Sequence, residues 1–150
     1  MEPVPQEDAE KLLSRALTSF CSGEFQAALA QLERVLKLED DPLLHSYLGL
    51  CIAKERGQVN KGRELCLASL ALEPENPVHY LNLARVHQVA GDKRQALETL
   101  RKGMAVGGSE EIVLLLSNLG KRKPPPLRFL SRDSLLNKWL GIALGRMGLR

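Results

Sequence analysis

Aromatic residues are scarce in this chain. One Trp, two Tyr and three Phe make up 4% of its 150 residues, too few to interleave with basic residues and stack bases. An excess of one charge is lacking too. Lys and Arg number 21 against 18 Asp and Glu, a formal net charge of +3. That near balance gives no argument for a nucleic-acid binder. Cysteine is limited to Cys21, Cys51 and Cys66. An odd number without a CxxC pair argues against a disulfide framework and a cysteine-rich zinc site, and fits a reducing compartment. No apolar run approaches the ~18 residues that a spanning helix needs. Residues 1–8 have neither the basic nor the apolar stretch of a signal peptide. The chain therefore reads as a soluble, cytoplasmic protein, long enough to bury roughly 70% of its unfolded surface.

Chemistry-bearing motifs are missing as well. No GxGxxG, GxxxxGK or GxSxG segment occurs, and no HxxxH. His45, His79 and His87 each fall where a repeat's first helix is expected. Packing explains them better than metal ligation, because no carboxylate or thiol joins them at ligand spacing. The expectation is a non-enzymatic chain with no cofactor and no metal.

What the chain does have is an internal repeat. Gly23, Gly57 and Gly91 recur at intervals of 34. Ala28, Gly62 and Ala96 keep that interval, as do Leu32, Cys66 and Leu100, then Leu36, Leu70 and Met104. Ala16, Gly49 and Ala84 also correspond, but at intervals of 33 and 35. One residue is missing near Asp41 and one is inserted between Gly49 and Gly57. Such indels belong in turns or in a local helix bulge.

Each unit reads as two helices. A small residue lies in the first helix and another in the second, so that the two backbones can approach closely. The glycine between them ends the first helix through a left-handed cap. Asp41-Pro42 and Asn76-Pro77 each set an N-cap before a proline at the first helical position. Ser109-Glu110-Glu111 follows the Gly107-Gly108 break as a cap with acids in the first turn. These signals predict helices near 7–21, 25–38, 42–56, 59–72, 77–90, 93–105 and 109–118.

This pattern resembles the tetratricopeptide repeat. The third unit carries Tyr80, Leu83-Ala84, Gly91-Asp92, Ala96 and Leu100 in that family's order. The second shows Leu48-Gly49, Gly57, Gly62 and Leu72-Glu73-Pro74, and the first Ala16, Gly23, Phe25, Ala28 and Leu38. Gly103 stands where an alanine is usual, and Asp40 and Gly108 where a proline is favoured. The resemblance implies an all-α, right-handed α-solenoid of three helix-turn-helix repeats with capping helices. Its expected organisation is a lead at 1–8, repeats at 9–41, 42–76 and 77–110, and a capping helix at 109–118.

The resemblance also implies a concave groove lined by the first helices. Its lining would be Leu13, Leu17 and Phe20 in unit one, then Ser46, Leu50 and Ala53, then Leu81, Arg85 and Gln88 with Asn82 beside them. Versions of the fold that hold chaperone tails clamp a terminal carboxylate with Lys, Asn and Arg. Leu13 and Leu17 occupy the corresponding places here, which excludes that clamp. An apolar groove suits a peptide or an amphipathic helix of a partner protein. The competing reading is that these leucines pack within the domain.

Residues 119–132 read as a basic linker, because Pro124, Pro125 and Pro126 enforce an extended backbone. Lys121, Arg122 and Lys123 in it read as solvated charge. Residues 133–150 read as an amphipathic helix. Leu135, Trp139 and Ala143 form one row of its apolar stripe, and Leu136, Leu140 and Leu144 the other. Three roles compete for it: a cap on its own repeats, a docking helix for self-association or another protein, and a membrane-surface helix. Gly141, Gly145 and Gly148 weigh against the membrane role. Charge is polarised, with nine acids and four bases in residues 1–41 but two acids and eight bases in residues 111–150.

Overall fold

A computed structural model describes residues 6–121, 142–146 and 148, with side chains from Ala9 onward. Contacts divide the chain into two units, Met1–Leu119 and Gly120–Arg150. In the second, residues 142–146 are helical, with Ala143 and Leu144 partly buried. Leu135, Leu136, Trp139 and Leu140 of the expected C-terminal helix lie outside the described residues.

The first unit is a run of helices: α1 (Gln6–Cys21), α2 (Phe25–Leu36), α3 (Pro42–Arg56), α4 (Val59–Leu72), α5 (Pro77–Val89), α6 (Lys93–Ala105) and α7 (Glu110–Gly120). Helix boundaries follow local chemistry. Asp41 accepts a bond from the Leu43 amide at 2.8 Å, and Asn76 one from Val78 at 3.1 Å. Asp92 and Ser109 cap α6 and α7 in the same way, accepting from Gln95 and Ile112. Each such cap contributes about 1 kcal/mol. Helix α2 stops two residues short of expectation, because Lys37 and Leu38 bond back to Arg34 and Val35 in a tightened i−3 turn.

The repeat glycines end the first helices in two ways. Gly23 and Gly91 have φ of 79° and 77°. Around them the Glu24 amide reaches Ser19 and the Asp92 amide reaches His87, closing the six-residue loop of a Schellman cap. The second repeat carries the inserted residue. Helix α3 absorbs it by running on to Arg56, and the connection shortens to Gly57 and Gln58.

Packing is tightest within the second repeat. A Cβ placed on Gly49 would lie 2.6 Å from the Gly62 carbonyl oxygen, so two facing glycines let α3 and α4 touch backbone to backbone. The first and third repeats use alanine at these places, Ala16 with Ala28 and Ala84 with Ala96, all fully buried. Gly103 has a similar explanation, since a Cβ there would meet Tyr80 Cβ at 2.9 Å and Ile112 Cδ1 at 3.0 Å. The main apolar cluster runs from α1 to α5 around Leu32, Leu44, Leu50 and Val86. A second joins Leu81, Ala84, Ala96 and Leu100 to Ile112, with Leu115, Leu116 and Leu119 of α7 packed against it.

Polar pairs fix the stacking. The Asn82 amide donates to Ser46 Oγ at 3.0 Å, joining α5 to α3. Ser69 Oγ donates to the Pro42 carbonyl at 2.7 Å, joining α4 to the start of α3. The α4–α5 turn is organised by Glu73, which accepts from the Asn76 side chain at 3.0 Å and pairs with wholly buried His79 at 2.8 Å. Among the described residues, no helix is long and apolar enough to cross a membrane.

Two outcomes test this packing. In an open helix Gly→Ala stabilises by up to about 1 kcal/mol, whereas Gly49→Ala overpacks and is expected to cost roughly 1–3 kcal/mol. A lowered urea midpoint is therefore expected, and a raised one would show that the helices part freely. The Asn76 amide, and after it His79, hold the Glu73 carboxyl below its ordinary value of 4.5. A depressed carboxylate stabilises above its unfolded pKa, and that contribution is lost as pH falls through the lower folded value. Acid should therefore destabilise the native chain more steeply than Glu73→Gln below about pH 4.5, and parallel profiles would remove Glu73 from this role.

Candidate functional site

The three first helices share a register. Leu17, Leu50 and Arg85 occupy one position in it, and Cys21, Lys54 and Val89 the next position one turn along. The structure fills much of this face with packing. Leu50 and Ala53 are fully buried, and Phe20 is 9% exposed. Leu13 and Leu17 are half-buried, Arg85 is partly exposed and Gln88 exposed.

Five of the expected lining residues, Ser46, Leu50, Ala53, Leu81 and Asn82, are at most 5% exposed. Ser46 and Asn82 have no exposed surface and bond each other inside the α3–α5 interface. Leu81 is 5% exposed and belongs to the cluster that α7 covers. A buried polar group finds its partner inside the protein, and an apolar face at the end of a solenoid is closed by the following helix.

What stays open is a cleft of about 430 Å³, between the α1–α2 turn and α7. Phe20 and Phe25 form its apolar side, stacked edge to face with centroids 5.5 Å apart. Tyr47 backs Phe20 at 4.9 Å. Lys54 Nζ lies over the Phe25 ring, 4.3 Å from its centroid. Opposite it, Arg85 bonds Glu111 at 3.0 Å. Burial lowers the Lys54 ammonium below the usual lysine range, and Arg85 adds to this. Burial raises the Tyr47 phenol, with Glu111 next. Two cations thus share the cleft with one carboxylate.

Of these lining residues, Phe20, Leu50 and Arg85 were expected from sequence. Cys21, Phe25, Lys54 and Glu111 were not. Lys54 was within reach of the register argument, as the counterpart of Cys21. Glu111 was not, because only the fold brings α7 to Arg85.

The histidines do not converge. His79 pairs with Glu73, and His45 with Asp40. Among the described residues, no group of three His, Cys, Asp or Glu could hold a metal ion. Cys51 and Cys66 are buried and Cys21 is exposed. Burial pushes both interior thiols up to about 12. A thiol-specific reagent is expected to label Cys21 alone in the native chain and the other two only in denaturant. Rapid native labelling of the Cys21→Ser variant would contradict the packing.

Solved structures share this architecture. The Sgt2 TPR domain from Aspergillus fumigatus is similar at a TM-score of 0.61 and 18% identity, over 91% of this chain and 97% of that one. The second TPR domain of human RPAP3, solved with the HSP70 peptide SGPTIEEVD, gives 0.58 at 16% identity, over 79% and 100% of the two chains. The type III secretion chaperone SycD of Yersinia enterocolitica, in complex with a peptide of the translocator YopD, gives 0.58 at 16%, over 79% and 97%. No family model and no curated protein matches the sequence. The chain therefore has the tetratricopeptide-repeat fold.

Proposed function

We propose that this chain is a non-catalytic protein-interaction adaptor, and that the cleft between the α1–α2 turn and α7 receives a segment of a partner protein. The observation that carries the reading is the cleft's composition: Phe20 and Phe25 with Lys54 over the Phe25 ring, together with the Arg85–Glu111 pair. The aromatic side offers burial to one apolar side chain. The surplus cation favours an acidic group beside it, and Arg85 can exchange Glu111 for that acid. Glu111 is 66% exposed, so it is free to be displaced. Leu13 and Leu17 extend the apolar path along α1, and Gln88 adds an orienting hydrogen-bond group. The ligand class is a short peptide or one turn of an amphipathic helix with an apolar residue near an acidic one. The peptides held by the RPAP3 and SycD domains support the mode of binding. Their ligand chemistry is not carried over to this chain.

The test is selection from a displayed random-peptide library on the intact chain. Recovered peptides are expected to share an acidic residue next to an apolar one. Lys54→Glu and Arg85→Glu should each weaken their binding by about tenfold or more, about 1.4 kcal/mol per decade. Both side chains reach solvent, so both variants should keep native helicity. Peptides that bind these variants as well as the parent would remove the cleft from consideration.

A further inference from the structure

A second cavity lies on the other side of α5. Arg85 and His87 are two residues apart, about 200° around a helix. Arg85 faces the peptide cleft, while His87 lines a separate cavity of about 330 Å³. Helix α4 contributes Arg63 to this cavity, α6 contributes Lys102 and Thr99, and Asp92 closes it at the α5–α6 turn. Leu67 of α4 gives it an apolar wall.

The cavity holds polar groups that the fold leaves unsatisfied. Arg63 Nε and His87 Nδ1 are buried without a hydrogen-bond partner. His87 is only 7% exposed, so it is a largely buried polar side chain at the base of an open cavity whose rim, Leu67, Asp92 and Lys102, is exposed. Arg63 makes one long bond, 3.5 Å to Asn60 Oδ1. Neither Arg63 nor Lys102 has a carboxylate partner among the described residues. Asp92 is the one acid in the lining, and its Oδ1 is occupied by the Gln95 amide. Buried polar groups are normally satisfied, and two cations outweigh one engaged carboxylate.

We propose that this cavity binds a tetrahedral oxyanion of the phosphate-monoester type. Arg63 would supply its guanidinium donors, Lys102 a mobile ammonium, and His87 a ring N–H. Thr99 offers a hydroxyl, and Leu67 covers the carbon to which an esterified phosphate is attached. The charged groups facing His87 are Arg63 from α4, Lys102 from α6 and Asp92 from the turn. Burial and then Arg63 lower the His87 pKa from 6.5, against the pull of Asp92. A bound dianion reverses that balance. Binding then takes up a proton at His87, and affinity for a dianion of constant charge rises as pH falls below 7.

The test uses side-chain NMR of the intact chain, reading the Arg63 Nε–H and the His87 ring. Sodium sulfate is titrated against sodium chloride at matched ionic strength, since sulfate keeps its charge across the pH range. Saturable shifts at both residues, a raised His87 pKa and tighter binding at lower pH are expected. Lys102→Gln should weaken sulfate by about tenfold. Lys102 is exposed, so that variant should retain the native amide spectrum. Inorganic phosphate and a phosphoserine peptide then distinguish the source. Tighter binding of the peptide supports a phosphorylated side chain, and tighter binding of the ion supports a free anion. Linear shifts equal to those from chloride, or titrations unchanged by Lys102→Gln and Arg63→Gln, would overturn the proposal. Because Lys54→Glu disables only the peptide cleft, failure there and failure here are separable.

Discussion

The backbone contact between Gly49 and Gly62 sets the geometry on which the other repeats rest. With no Cβ on either residue, α3 and α4 meet at their peptide groups. A solenoid's stability is a sum of units and nearest-neighbour interfaces, and the second repeat is the one with a neighbour on each side. Three inter-repeat links among the described residues are anchored on it. Tyr47 meets Phe20 of α1, Arg56 meets Glu33 of α2, and Ser46 meets Asn82 of α5. The inserted residue adds to this role. Helix α3, lengthened to Arg56, carries Lys54 and Arg56 to where α2 can engage them.

That close packing decides which part of the groove remains a surface. The interior takes Leu50, Ala53, Ser46 and Asn82, and α7 covers Leu81. Among the described residues, the end of the α1–α3–α5 face is the most open part, where Cys21, Lys54 and Glu111 are all exposed. Small residues at the helix crossings and a residual cleft are thus one design. Helices that approach closely leave little room between them, so the accessible chemistry shifts to side chains one turn further along.

The architecture was legible because it is written in residues whose role is steric. Gly23, Gly57 and Gly91 mark helix ends, Asp41-Pro42 and Asn76-Pro77 mark helix starts, and both signals act within a few residues. The site was legible only in part. Register placed Leu50 and Arg85 on one face; Arg85 reaches the cleft, while Leu50 lies buried beneath it. Register could not show that Ser46 and Asn82, 36 residues apart, spend their polar groups on each other. Nor could it show Glu111, since α7 carries no repeat signature that ties it to Arg85. Lys54 was hidden for another reason. A lysine reads as a solvated charge until its ammonium is found over an aromatic ring.

Helix α5 is where these constraints meet. It carries Arg85 toward the cleft beside Phe25 and His87 toward the cavity beside Arg63, with fully buried Val86 between them. It is also held at two depths. Asn82 ties its middle to α3, and the Glu73–His79 pair with the Tyr80 hydroxyl on the Pro74 carbonyl ties its start. A helix fastened in this way neither slides nor rotates without breaking these hydrogen bonds, of which Asn82–Ser46 is buried and costly to leave unmade. Helix α5 therefore holds Arg85 on one face and His87 on the other in fixed positions before any ligand arrives. The ordering cost that limits affinity in flexible sites is met by folding, in bonds that lie outside both cavities.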